Sequence, residues 1–251
     1  MRDAVAVCTF TRPPKNFMSF AAMSELERVL GELASDESVK IVVLTGGVDG
    51  FFVAHADLDD LTKIGRGEPV DGDPTSWFRT LTLLESMPQP TVAAINGQAH
   101  GGGCELSLAC TLRLIAESGH MGQPEVVVGI IPGAGGTQRL PRLVGAGVGA
   151  ELVLSGRVVL PDEAMAIGLV NAVLPDDGFV EHVREWLRPM SRHPRSALVA
   201  AKNAVVEGLR LPIAEGLRLE GELFVRLQTG TEALELQDNA LESYAAGADP
   251  I

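Results

Sequence analysis

Short unbroken apolar runs and longer stretches with a helical repeat succeed one another along most of the chain. Residues 4–11 form an apolar run containing Val and Thr, halted by Pro13-Pro14, and predict a strand. Ser19 can cap a helix in which Phe20, Met23, Leu26, Leu30 and Leu33 recur at helical spacing. Residues 39–44 read as a second strand, ending at Gly46-Gly47. Residues 65–75, rich in Gly, Pro and Asp, read as a surface loop. Trp77, Phe78, Leu81 and Leu84 mark a helix closed by Pro88 and Pro90. Residues 91–96 predict a strand that runs into Gly101-Gly102-Gly103 and an apolar helix reaching Cys110. Residues 112–116, 126–131 and 171–174 resemble further short strands.

From about residue 179 the strand pattern stops. Residues 179–190, 194–207, 212–227 and 231–244 all carry helical periodicity. The expectation is an α/β body over 1–190 that holds the site, followed by a helical region over 191–251. Leu217, Leu219, Leu223, Phe224 and Leu227 give that region an apolar face, which calls either for packing on its own body or for a subunit interface.

Composition narrows the function classes. The 251 residues carry 33 acidic and 20 basic side chains, a formal net charge of −13. Such a charge argues against a nucleic-acid binder, which needs a basic face to displace phosphate counterions. A small anion held by local dipoles stays compatible with it. No apolar run approaches a membrane span, and residues 1–12 lack a signal-peptide pattern. Cys8, Cys104 and Cys110 have no metal-like spacing and suit a reducing compartment. The expectation is a cytoplasmic protein without metal or cofactor.

The glycine run at 101–103, between a strand and a helix, combines close backbone approach with outward N–H groups at a helix N-terminus. This is the make-up of an anion or oxyanion site, although glycines also serve tight packing alone. It lacks the Gly-x-x-x-x-Gly-Lys of a phosphate loop. Glu105 follows on an apolar helix, where desolvation would raise its pKa towards the range of acid–base catalysis. An ordinary first-turn glutamate is the plainer reading. Glu125 stands in a similar setting, between Gln123-Pro124 and the glycine-rich 129–136 stretch. A third glycine-rich segment, 45–58, can supply another backbone donor. Two carboxylates and two backbone loops suit chemistry beside a carbonyl.

These segments resemble the crotonase (enoyl-CoA hydratase/isomerase) superfamily over most of residues 1–175. The densest portion runs from Ile95-Asn96-Gly97 to Leu140 and includes Gly-Ile-Ile-Pro-Gly-Ala-Gly-Gly-Thr-Gln-Arg-Leu at 129–140. Leu154-Ser155-Gly156-Arg157, Glu163-Ala164 and Gly168-Leu169-Val170 also fit. The resemblance implies a crotonase-like spiral of stacked β-β-α turns with a C-terminal helical oligomerisation region, forming homotrimers or dimers of trimers. It implies an acyl thioester of coenzyme A as substrate. By position, the backbone N–H groups of Ala56 and Gly102 would hold the thioester oxygen, and Glu105 and Glu125 would be the catalytic acid/base pair. Ala54, Asp57, Leu58, Gly101, Pro124 and Gly133 would border the substrate. Retention of both glutamates favours hydration of a trans-2-enoyl-CoA to a 3-hydroxyacyl-CoA. The alternatives are an isomerase using one glutamate and a member that keeps the fold without catalysis.

Three departures from the family pattern stand out. His55 precedes the first oxyanion segment where a small residue is usual, and His100 precedes the glycine run. Both histidines could tune the site or simply pack. No Lys or Arg follows Arg226, so the phosphates of coenzyme A need cations elsewhere; Arg12 and Lys15 are the nearest sequence candidates. Gly145, Gly147 and Gly149 fall between helical segments and not after a first β-strand, which excludes a dinucleotide-binding fingerprint.

Overall fold

The computed structural model describes residues 4–248 and divides the chain into two compact units, Met1–Ser191 and Arg192–Ile251. In the first unit, β1 (Val5–Phe10) leads to α1 (Phe20–Ser35), then β2 (Ile41–Gly46) and β3 (Gly50–Val53). Next come α2 (Leu58–Gly65), α3 (Ser76–Ser86), β4 (Thr91–Ile95), β5 (Gly97–His100) and α4 (Gly102–Ala109). After β6 (Leu112–Ala116) and β7 (His120–Gly122) stand a 3-10 turn at Glu125–Val128, α5 (Gly136–Val144) and α6 (Ala146–Ser155). The unit closes with β8 (Val158–Val159), α7 (Pro161–Ala166), β9 (Ala172–Leu174) and α8 (Phe179–Ser191).

Two sheets result. One is five-stranded and wholly parallel, in the order β1-β2-β4-β6-β9. The other has the order β3-β5-β7-β8 and is parallel except where β8 meets β7. Consecutive strands are dealt alternately to the two sheets: β2 then β3, β4 then β5, β6 then β7. Each pair adds one turn to a stacked β-β-α spiral.

The large sheet is buried on both faces, which explains its continuous apolar runs. In β2, Val42 and Leu44 join the main core, while Ile41 and Val43 face the opposite cluster. That second cluster is covered by Phe179, Val183 and Leu187 of α8. Ser19 caps α1 as its sequence position predicts, its hydroxyl accepting from the Ala22 N–H at 3.2 Å.

One expected strand is absent. Residues 126–131 read as apolar β structure, yet they form the 3-10 turn and an irregular segment after it. Gly129 adopts a left-handed conformation (φ 79°) that breaks extension, and Val127 and Val128 are exposed. An apolar run is consistent with strand and with other structure alike; here its side chains face a cavity mouth and not a sheet interior.

The second unit contains α9 (Arg195–Gly208), α10 (Ile213–Gln228) and α11 (Thr231–Ala245). Its helices match the periodicity, and large apolar side chains on α10 and α11, among them Leu217, Phe224 and Leu241, are exposed.

Asn16 ties three segments of the first unit together. It is fully buried in a left-handed conformation (φ 54°), which asparagine tolerates better than most residues. Its Nδ2 donates towards the carbonyls of Phe10, Phe51 and Phe52 at 3.1–3.2 Å, and its Oδ1 accepts from the Arg12 N–H at 2.8 Å. Asn16→Ala would remove the bonds to the Phe51 and Phe52 carbonyls and to the Arg12 N–H, while the Phe10 carbonyl keeps the Gly47 N–H at 2.7 Å. Urea unfolding is expected to show a loss of about 3 kcal/mol, because each stranded buried polar group costs on the order of 1–3 kcal/mol.

Candidate active site

The site forms where α4 meets the end of β3. Gly103 permits this contact: a Cβ there would lie 1.9 Å from the Val53 carbonyl oxygen. At Gly102 a Cβ would stand 2.6 Å from Cη2 of Trp77 and 3.2 Å from the Ala56 nitrogen. The absence of side chains therefore brings the first amide of α4 beside Ala56. Gly102 N–H belongs to a helix first turn and has no partner within the helix. Around Ala56, the Met18 N–H donates to the His55 carbonyl at 3.0 Å and the Asp57 N–H to the Met18 carbonyl at 2.9 Å. This parallel bridge turns the N–H of Ala56 itself to the other side.

Both amide segments border one cavity of about 520 Å³. Glu105, Glu125, Gly101, Pro124, Leu58 and Gly133 line it as well. Of the residues singled out from the sequence, Ala54 and Asp57 do not, and neither do the candidate cations Arg12 and Lys15. Ala54 is buried, and its carbonyl accepts from the His100 N–H at 3.1 Å. Asp57 caps α2 through the Asp59 N–H at 3.0 Å and pairs with Arg12 at 2.7 Å. Those contacts hold its carboxyl below the usual range despite burial that opposes them. Arg12 also donates to the Phe17 carbonyl at 2.8 Å.

Glu105 is 3% exposed. Burial pushes its pKa up, while hydrogen bonds from the Ala134 and Gly136 N–H groups and the charge of Arg139 pull the other way. Its Oε1 accepts both hydrogen bonds, at 2.7 and 2.8 Å. Arg139 is held in turn by Glu85 at 2.5 Å and donates to the Ala134 carbonyl at 2.8 Å. The glycine-rich 133–136 loop is thus fastened to the carboxylate on one side and to α3 on the other.

Glu125 opens the 3-10 turn. Burial raises its pKa to about 7, helped by the nearby charge of Glu105. Gln123 is fully buried beside Glu125, and with its amide nitrogen turned to the carboxylate, the orientation that satisfies both groups, it donates to both Glu125 oxygens at 2.9 and 3.1 Å. The sequence alone does not single out Gln123. Its signal was a polar residue two positions before Glu125 in a segment otherwise committed to burial. In the sequence Arg139, Phe20 and Trp77 likewise stand out only as motif or helix positions.

The histidines stand at the same end. His55 lines the cavity, with Nδ1 2.7 Å from the Ala56 carbonyl and its ring centroid 4.5 Å from that of Phe17. His100 also lines it, and its Nε2 is 2.9 Å from Nδ1 of His120. Burial, then His120 and His55, lower the His100 pKa to about 4, so it is neutral at neutral pH. Among the described residues no group of three or more His, Cys, Asp or Glu side chains is arranged to hold a metal ion. No helix among them is long and apolar enough to cross a membrane.

A family model described as Enoyl-CoA hydratase/isomerase matches residues 1–245. The chain belongs to the enoyl-CoA hydratase/isomerase family. A short-chain-enoyl-CoA hydratase of Clostridium acetobutylicum is 37% identical over 225 residues, 88% of this chain and 84% of the relative. A 2,3-dehydroadipyl-CoA hydratase of Escherichia coli is 37% identical over 228 residues, 90% of this chain and 88% of the relative. The crystal structure of an enoyl-CoA hydratase from Geobacillus kaustophilus superposes with a TM-score of 0.89 at 30% identity, covering 100% of this chain and 93% of that one. The crotonase fold expected from the sequence is the fold observed.

The raised pKa of Glu125 can be tested directly. In a carbon-13 titration of labelled glutamates, one carboxyl is expected near pH 7 and to vanish in Glu125→Gln. Gln123→Met should move it higher still, because hydrogen bonds donated to a carboxylate favour the ionised form. The linkage has a definite sign. The folded-state pKa lies above the unfolded value, so this group's contribution is greatest below about pH 4.5 and is lost as pH rises towards 7. Relative to Glu125→Gln, the wild type should therefore lose stability across that window.

Proposed function

We propose that the protein hydrates trans-2-enoyl-CoA thioesters to 3-hydroxyacyl-CoA products. The observation that carries this reading is the convergence of Glu105, Glu125 and the adjacent amide segments of Ala56 and Gly102 on one apolar cavity. The hydratases among its relatives support it.

In this mechanism the thioester oxygen accepts from the Ala56 and Gly102 N–H groups. Charge gathers on that oxygen as water adds at C3, and the two donors are already in place when it does. One such donor is worth about a hundredfold or more in rate. Glu105 positions and deprotonates the water. Its Oε1 is occupied by the two loop amides, which fixes the carboxylate and leaves its other oxygen for the cavity. Glu125, with a pKa of about 7, can exist in either protonation state near neutral pH and supplies the proton that arrives at C2. Water lost from C3 and C2 in the reverse direction uses the same two groups with their roles exchanged. The chain's part is to bind the thioester, hold the oxygen and move protons; no metal or redox cofactor enters the scheme.

Coenzyme A phosphates would be met by a strongly acidic protein, which slows capture of a polyanion at low salt. The exposed apolar side chains of α10 and α11 support a homotrimer or a dimer of trimers. Light scattering should then give three or six times the 26.5 kDa of one chain.

Crotonyl-CoA hydration, followed by loss of the enoyl-thioester absorbance, tests the activity. Glu105→Gln and Glu125→Gln should each lower kcat by about 10²–10⁴. Wild-type rates in both variants would overturn the assignment. Full activity of Glu105→Gln in moving the double bond of a 3-enoyl thioester would favour a single-carboxylate isomerase instead.

A further inference from the structure

Beyond the reacting centre the cavity changes character. Its far walls are Leu61 and Ile64 of α2, Phe78 of α3, and Val127, Ile130 and Ile131 after Glu125. Among the described residues no lysine or arginine lines it; the ionisable lining residues are His55, His100, Glu105 and Glu125, which cluster with the two amide segments. The neighbouring surface is acidic. Residues 57–75 contain six carboxylates, Asp57, Asp59, Asp60, Glu68, Asp71 and Asp73, against the two cations Lys63 and Arg66, with Arg12 pairing Asp57 and Arg79 pairing Asp73 from outside the segment. Lys63 is paired with Asp59 at 2.6 Å. A carboxylate at the far end of a bound acyl chain would thus lie against apolar side chains, with no lining cation to pair with and carboxylates nearby, an unfavourable setting for a charge.

Size points the same way. At roughly 30 Å³ per carbon, about the share of a liquid water, a four-carbon acyl group fills on the order of 120 Å³. The cavity, which must also take the thioester group and the attacking water, holds about 520 Å³. Its apolar rim is exposed, with Phe78 at 62% and Ile131 at 66%, and gains from being covered by hydrocarbon.

We propose that the acyl tail taken by this site is uncharged and apolar and extends beyond four carbons, lying against Leu61, Ile64 and Phe78. The inference rests on the acyl-CoA reading above for the thioester, but not on hydration itself.

Binding of saturated thioesters, which cannot be hydrated, separates the two. Calorimetry on the full chain should show octanoyl-CoA binding at least tenfold tighter than butyryl-CoA, since a fully buried methylene is worth roughly fourfold. Hexanoyl-CoA should bind at least tenfold tighter than adipyl-CoA, which has the same six carbons and a terminal carboxylate. Ile64→Lys, at a position already 41% exposed, should narrow or reverse the hexanoyl–adipyl difference. Adipyl-CoA binding within twofold of hexanoyl-CoA would overturn the proposal. So would equal binding of butyryl- and octanoyl-CoA, the result expected if a second copy of the chain covers Phe78 and Ile131. Should the predicted order of affinities hold while no enoyl thioester is hydrated, the hydratase reading falls and the tail assignment stands.

Discussion

The arrangement of the site depends on one close approach, the first turn of α4 against the end of β3. With 1.9 Å between a hypothetical Cβ on Gly103 and the Val53 oxygen, any side chain would push the helix away. Moving α4 outward would part Gly102 from Ala56 and withdraw Glu105 from the loop that holds it. The two backbone amides and the first carboxylate therefore share one geometric origin. The fold specifies that origin twice: the glycines allow it, and Trp77, packed at Gly102, limits the space that remains.

Burial then differentiates two residues of the same type. Both glutamates are desolvated, and desolvation alone would protonate each. Glu105 receives two backbone N–H groups and the field of Arg139, all of which favour its charge. Glu125 has the neighbouring negative charge of Glu105 against it and lies at about 7. Gln123 supplies donors that restrain Glu125 without neutralising it. One carboxylate is thereby suited to holding a nucleophile and the other to exchanging a proton near neutral pH. His100, neutral and hydrogen-bonded to His120, adds polarity beside them without adding a cation.

How much of this was legible depended on whether a signal was local. The strands of the large sheet stood out because burial on both faces makes them continuously apolar. The smaller sheet did not: β5 reads Gly-Gln-Ala-His and β7 His-Met-Gly, segments whose extension is imposed by pairing and not by propensity. Residues 126–131 failed in the opposite sense, being apolar for the sake of a cavity mouth. The two glutamates and both glycine-rich loops were visible as neighbours of one another in sequence. Gln123 and Arg139 were not, since their importance arises from what lies across space: the carboxylate of Glu125 in one case, Glu85 and the 134 carbonyl in the other.

The same contrast separates reaction from selectivity. The candidate site combines backbone amides, Glu105 buried where α4, β3 and the 133–136 loop interlock, and the half-buried Glu125 on the 3-10 turn, so a change at its inner end disturbs packing as well as polarity. The far wall is made of side chains on the short helix α2, on α3 and on the irregular segment after Glu125, several of them solvent-exposed. Such positions carry few packing constraints, and substitutions there cost little stability. Changes at such positions can alter which acyl groups fit without disturbing the fold. In this chain those freely variable positions are occupied by leucine, isoleucine, valine and phenylalanine, with carboxylates beyond them. Under the proposed tail assignment, the excess negative charge that argues against a nucleic-acid partner would also act locally, against an acyl chain that ends in a carboxylate.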